Sequence, residues 1–191
     1  MRIALLGAHG KTGRLVAECA RSLGHELHAL EGSALDRKPL AGAIHGSDVV
    51  ISTLGPVKNS PPHLCSRATW LVLETMWEER VPRLVMVTGA LSGPQGNLSP
   101  LYRALLRFPP LAGILDDRRR QESLVRASLT RWTLVRPPPR LTDDDAPGDP
   151  EISTRAFLGP FDHTSRRHLA EVLLRAATTD AWKRQGIYVR S

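Results

Sequence analysis

The chain has 191 residues, 41% of them hydrophobic and 24% charged, which is enough for one well-buried core and too few for two comfortable domains. Its net charge is +7, and 22 of its 26 basic residues are arginines that recur between apolar residues at helical intervals, so the charge reads as a solvated face rather than a nucleic-acid surface. Cys19 and Cys65 form no CxxC pair, and no signal-peptide core or apolar run of ~20 residues is present, which argues against a disulfide framework or membrane span and predicts a cytoplasmic protein.

Ile3-Ala4-Leu5-Leu6 is a continuous apolar run that ends at Gly7, the pattern of a strand buried on both faces. Leu15, Val16, Cys19, Ala20 and Leu23 then recur at helical spacing up to Gly24, which suits a helix C-terminus. Residues 26–30 read as a second strand, 34–45 as a helix closed by Gly46, and 48–54 as another buried strand ending at Gly55. A helix is predicted over 61–80 and a strand over 83–88. Residues 89–110 are rich in glycine and proline, with one short helix expected around 101–106; a loop of that length in a compact domain is usually functional. A helix over 116–127 and a strand over 131–136 follow, the strand stopped by Pro137-Pro138-Pro139, which offer no ladder donor. Residues 141–160 read mostly as loop, 165–178 as a helix capped by Ser165, and 187–189 as a last short strand. This alternation predicts an α/β fold, a doubly wound parallel sheet in one domain spanning residues 1–191. Small substrate-side elements are expected from residues 89–115 and 141–165.

A strand, then Gly7-x-x-Gly10-x-x-Gly13, then a helix lets backbone N–H groups and a helix N-terminus hold a pyrophosphate. The first glycine permits the tight turn, the second the close approach of phosphates, and the third the packing of helix on strand. Lys11 adds a charge and Thr12 a hydroxyl donor to the same cradle. The plainer alternative is a glycine turn that only joins strand to helix.

The heptapeptide Gly7-Ala8-His9-Gly10-Lys11-Thr12-Gly13 resembles the GATGxTG turn of atypical short-chain dehydrogenases, in particular the flavin reductase (biliverdin-IXβ reductase) and NmrA-like group. Ser47-Asp48-Val49-Val50-Ile51-Ser52-Thr53-Leu54-Gly55 is similar to that group's fourth strand, Val85-Met86-Val87-Thr88 to its fifth, and Trp132-Thr133-Leu134-Val135-Arg136-Pro137-Pro138 to its sixth. The resemblance covers most of residues 1–190. It implies a Rossmann-like fold that binds NAD or NADP, with His9 in the cradle and Leu54, Gly55, Thr88 and Pro137 beside the cofactor.

The sequence departs from the group's pattern in three places. A helix and a strand are missing after the second strand, where Glu31-Gly32-Ser33 runs almost directly into Ala34-Leu35-Asp36. The sheet is therefore expected to lack one edge strand and the adenosine pocket one wall. Glu31 occupies the place of a basic residue that grips an NADP 2′-phosphate, and an acid there bonds ribose hydroxyls and favours NAD. Arg37 and Lys38 lie just beyond and restore positive charge, which leaves the preference between NAD and NADP open. The positions of the Tyr-x-x-x-Lys acid pair read Ile114-Leu115-Asp116-Asp117-Arg118, and Gly89 stands where the flavin reductase group has a serine. Ser92 and Tyr102 are the candidate catalytic residues, with Asp117 and His163 as further polar candidates.

The expectation is an NAD(P)H-dependent reductase that transfers hydride to a small-molecule conjugated acceptor such as a flavin, a quinone or a related aromatic metabolite. Two alternatives stand beside it: a non-catalytic NAD(P)-binding sensor, and a cofactor-independent cyclase, isomerase or dehydratase on the same scaffold. The sequence leaves the oligomeric state open.

Overall fold

The computed structural model describes residues 1–56, 60–93, 109–155, 158–159 and 161–191. In chain order the elements are β1 (Arg2–Leu6), α1 (Lys11–Ser22), β2 (Glu26–Ala29), α2 (Arg37–Ile44), β3 (Val49–Ser52), α3 (Leu64–Glu78), β4 (Arg83–Val87), a 3₁₀ turn (Ala90–Ser92), α4 (Pro109–Ala127), β5 (Arg131–Arg136), β6 (Arg140–Thr142), β7 (Glu151–Ser153), β8 (His163–Ser165), α5 (Arg166–Thr178) and β9 (Gln185–Arg190).

Seven strands form one sheet in the order β2-β1-β3-β4-β5-β9-β7. The first six run parallel, and β7 lies antiparallel to β9 at the far edge. Successive residues of a strand face opposite sides, so the apolar run of β1 feeds two cores at once. Ile3 and Leu5 pack with Val16 and Ala20 of α1 and Leu169 and Leu173 of α5. Ala4 and Leu6 pack with Leu40 and Ile44 of α2 and Val72 and Met76 of α3. Helices therefore cover both faces, the doubly wound arrangement. Strand order reverses at β1, whose neighbours are β2 on one side and β3 on the other. In open α/β sheets ligands bind in the crevice beyond the strand C-termini at that reversal.

At the β2 edge the chain goes straight into α2, and among the described residues no strand pairs with the outer side of β2. Asp36 starts α2 by accepting a hydrogen bond from the Lys38 backbone N–H at 3.1 Å. Pro39 thus falls in the first turn, where its missing N–H costs no helical bond. At the other end, Ser165 caps α5 as its sequence predicts, its side chain accepting from the His168 N–H at 3.1 Å.

Three expectations need adjusting. The helix expected to begin at residue 116 begins at Pro109. The stretch 141–160 contains β7 and most of β6, which pairs with β8 as a separate two-stranded ribbon. Strands of three residues carry too little periodicity to stand out from loop. The short helix expected around 101–106 lies outside the described residues.

Candidate functional site

The three glycines of the first turn do different work. Gly7 has φ +89°, and a Cβ there would stand 2.7 Å from Thr53 Oγ1. A Cβ at Gly13 would stand 2.0 Å from the Gly7 carbonyl oxygen. Both glycines are required by the loop's own packing. Gly10 is different: it has φ −72° and ψ 162°, and its nearest neighbour, the Gly7 oxygen, would lie 3.4 Å from an added Cβ. None of the described residues excludes a side chain at Gly10, so glycine there suits close approach from outside. The N-terminus of α1 behind it has no side-chain cap and no acid in its first turn. Its first N–H groups and its dipole are thus available to an anion. This cradle fits the pyrophosphate of a dinucleotide.

Polar and charged residues flank the cradle in exposed pairs. His9 Nε2 lies 3.0 Å from Glu31 Oε2, which places Glu31 at the rim beside the glycine turn. Lys11 donates to Asp143 Oδ2 at 2.7 Å, and Arg166 of α5 holds the other oxygen of the same carboxylate. Arg37 is directed elsewhere. Its guanidinium bonds Glu74 at 2.5 Å and Glu78 at 3.1 Å on α3, which removes the positive charge it was expected to bring to the adenosine side. Lys38 is exposed on α2.

Next to the cradle, at the C-terminal ends of β3, β4 and β5, lies a cavity of about 310 Å³. Thr12, Leu54, Gly55, Thr88, Ser92 and Pro137 all line it, together with Arg118 and Ile114 of α4 and Leu141 of β6. Six candidate residues from five separate places in the sequence thus meet at one opening. Ser92 is buried and donates from Oγ to the Gly89 carbonyl at 2.8 Å, so its proton is engaged by the backbone. Arg118 donates from Nη1 to the carbonyls of Leu54 and Val87, each at 3.3 Å, and to Gln121 Oε1 at 2.8 Å.

Behind the cavity sits a buried ionic network. Glu122 of α4 receives Arg136 Nε at 2.8 Å and Nη2 at 2.7 Å, Thr88 Oγ1 at 2.8 Å, and Arg126 at 3.1 Å. Burial works to raise the Glu122 carboxyl; the bonds and charge of Arg136, with those from Thr88 and Arg126, override it and hold the group below the ordinary carboxylate range. Gly186 makes room for this guanidinium, because a Cβ there would stand 2.2 Å from Arg136 Nη1.

Two of the other polar candidates, Asp117 and His163, are not among the residues that line the cavity. Asp117 turns away and accepts from the backbone N–H groups of Cys65 at 2.8 Å and Ser66 at 3.0 Å, capping the start of α3. His163 belongs to the β6–β8 ribbon, away from the cavity lining. Tyr102 lies outside the described residues. Arg118, Asp143 and the Glu122–Arg136 pair escaped the sequence reading, although the arginine closing the apolar strand Leu134-Val135-Arg136 is a signal for the last. A larger apolar groove of about 870 Å³, lined by Trp70, Trp77 and Leu129, holds no residue of the cradle. Among the described residues no group of histidines, cysteines and acids could hold a metal ion. No helix among them is long and apolar enough to cross a membrane.

Among solved structures, the oxidoreductase ylbE of Lactococcus lactis is 14% identical over 99% of this chain and 90% of its own, with a TM-score of 0.81. A candidate NADH-flavin reductase of Streptococcus pneumoniae TIGR4 is 19% identical over 100% of this chain and 99% of its own, with a TM-score of 0.80. ChuY, an anaerobilin reductase of Escherichia coli O157:H7, is 19% identical over 99% and 96%, with a TM-score of 0.74. At these identities the likeness establishes the fold. No curated protein matches the sequence. Residues 23–180 match the model of a family described as NAD(P)H-binding. With that match over most of its length and a Rossmann-like sheet carrying a glycine cradle at its reversal point, the chain belongs to the NAD(P)H-binding family, whose cofactor is NAD or NADP.

Proposed function

We propose that this protein is an NAD(P)H-dependent reductase of a conjugated small-molecule acceptor, such as a flavin, a quinone or a related aromatic metabolite. The observation that carries the reading is the small, largely apolar cavity that adjoins the cradle and is lined by hydroxyls and one guanidinium. Gly10, Lys11, Thr12 and the first turn of α1 would hold the pyrophosphate, and Leu54, Gly55, Thr88 and Pro137 would border the reacting ring. The bound cofactor supplies a hydride. The chain's own contribution is then placement, because hydride transfer depends chiefly on distance and orientation. Ile114 lines the cavity where a dehydrogenase of the Tyr-x-x-x-Lys type has its acid, so acceptors that form a stable reduced anion and take their proton from water suit it best. Glu31 beside the turn, with Arg37 held on α3, favours NAD over NADP.

Titration with NADH and NADPH, followed by nicotinamide fluorescence, tests the cofactor half. A screen of flavins and quinones for oxidation of the bound form tests the chemistry. Tighter NADH than NADPH binding with turnover of at least one quinone or flavin is expected; absence of binding by either nucleotide would end the reading. Binding without turnover of any acceptor would favour the second reading, a nicotinamide-sensing protein, to which the replacement of the acid pair by Ile114 and Arg118 also points.

A further inference from the structure

Arg118 is the one ionisable side chain among the described residues that line the cavity. Among the described residues no acid pairs with its charge. Nη1 meets only neutral acceptors, the carbonyls of Leu54 and Val87 and the amide oxygen of Gln121. Every acid near it on α4 is committed elsewhere: Asp116 to Arg120 at 2.8 Å, Asp117 to the N–H groups that open α3, and Glu122 to Arg136. Three bonds on one nitrogen hold the guanidinium in a fixed orientation. The other terminal nitrogen faces Gly55, where an added Cβ would stand 3.1 Å from Nη2, and Gly55 also lines the cavity. The surrounding wall is apolar or merely hydroxylic, with Leu54, Leu91, Leu115, Pro137, Pro138 and Leu141. A preoriented cation in such a wall strengthens any charge-assisted bond made to it.

We propose that Arg118 is the anion anchor of this cavity, and that the molecule bound there is a flat apolar ring system bearing a carboxylate or comparable anionic group. The volume is at the small end of ligand pockets, so the part of the molecule that it encloses amounts to one or two rings. This deepens the reductase reading by naming its acceptor class, but the anchor itself requires no chemistry.

The test is calorimetric titration of the full chain, with and without NADH, using naphthalene-2-carboxylate and its uncharged mimic naphthalene-2-carboxamide. The wild type should bind the carboxylate at least about tenfold more tightly than the amide, the share expected of one charge-assisted contact. Arg118→Gln should erase that preference and leave amide binding within about twofold, while Arg118→Lys keeps part of it. Three results would overturn the anchor: no preference in the wild type, equal loss of both ligands in R118Q, or a loss confined to NADH affinity with the preference intact. Because the wild-type preference and the R118K variant carry the test, poor folding of R118Q would not shield it. A protein that holds the carboxylate through Arg118 yet reduces no flavin or quinone would end the reductase reading and keep the anchor.

Discussion

The charges on the two sides of the site are organised in opposite ways. Around the glycine turn they are paired in the open: the Lys11 and Asp143 side chains are 68% and 60% exposed. Behind the cavity, Arg136 and Glu122 are paired at 2% and 4% exposure. Water screens the first kind of pair, so a ligand can take over one partner at little cost. The second kind is locked, because removing either partner strands a charge without solvent. The exposed side is where a polyanion would be exchanged, and the buried side is a frame that fixes the ends of β4 and β5.

The most severe way to break that contrast is Glu122→Gln. It leaves Arg136 buried against a neutral group, and a loss of about 3–5 kcal/mol of unfolding free energy is expected, readable by urea denaturation. The pH dependence has a definite sign. A carboxyl whose folded-state value lies below its unfolded value stabilises the fold above the unfolded value, about 4.3 for a glutamate. That stabilisation is lost as pH falls through the folded-state value. The gap between wild type and variant should therefore narrow in acid. A variant as stable as wild type at pH 7 would mean the pair is no frame.

Gly10→Asp probes the open side. The backbone at Gly10 suits any residue, the added Cβ has room, and aspartate is a favoured N-cap. The variant should melt no lower than wild type and yet lose at least about a hundredfold in NADH affinity, since the new carboxylate stands where phosphate would. Gly13→Ala, with the Gly7 oxygen 2.0 Å from its Cβ, should instead fail in both measurements. Retention of binding by G10D would remove the cradle from the cofactor site.

The contrast also marks what could be read from the chain alone. The strand Ile3-Ala4-Leu5-Leu6 and the Gly7, Gly10, Gly13 spacing are local patterns, and so were legible. That Gly7 and Gly13 are required by the loop while Gly10 is not was illegible, since it depends on Thr53 and the Gly7 carbonyl folding back. Along the sequence Arg37 offers positive charge near the adenosine side, but its partners Glu74 and Glu78 come from a different helix. Asp117 was a further polar candidate and is a cap for α3. Arg118, Glu122 and Arg136 acquire meaning only when α4 is laid across β4 and β5, which no spacing along the sequence announces.

Ser92→Ala should have a smaller effect. A residue acting as general acid contributes ~10²- to 10⁴-fold. The Ser92 hydroxyl donates a hydrogen bond to the Gly89 carbonyl, so it positions the turn that borders the cavity. Turnover of a quinone should fall by less than about tenfold, with similar losses across acceptors. A thousandfold loss would identify Ser92 as the proton donor.

The smallest effect, and the sharpest test of exchangeability, concerns Asp143. Its carboxylate holds Lys11 through one oxygen and Arg166 through the other, so it stands in the place of an anion beside the cradle. The hydrogen bond from Lys11 and the nearby charge of Arg166 keep the Asp143 carboxyl below the usual aspartate range. It therefore stays ionised at neutral pH and would compete with a pyrophosphate held in the cradle for the same lysine. Asp143→Asn frees that lysine without changing the shape of the loop. NADH affinity should rise by about two- to threefold at low ionic strength, and the gain should shrink as salt screens the lysine. Lys11→Gln in the D143N background should cancel the gain, because the two residues act through one contact. A fall in affinity on D143N would show instead that Asp143 holds Lys11 in the position the cofactor needs, making the pair a preorganised part of the cradle rather than a contact the ligand displaces.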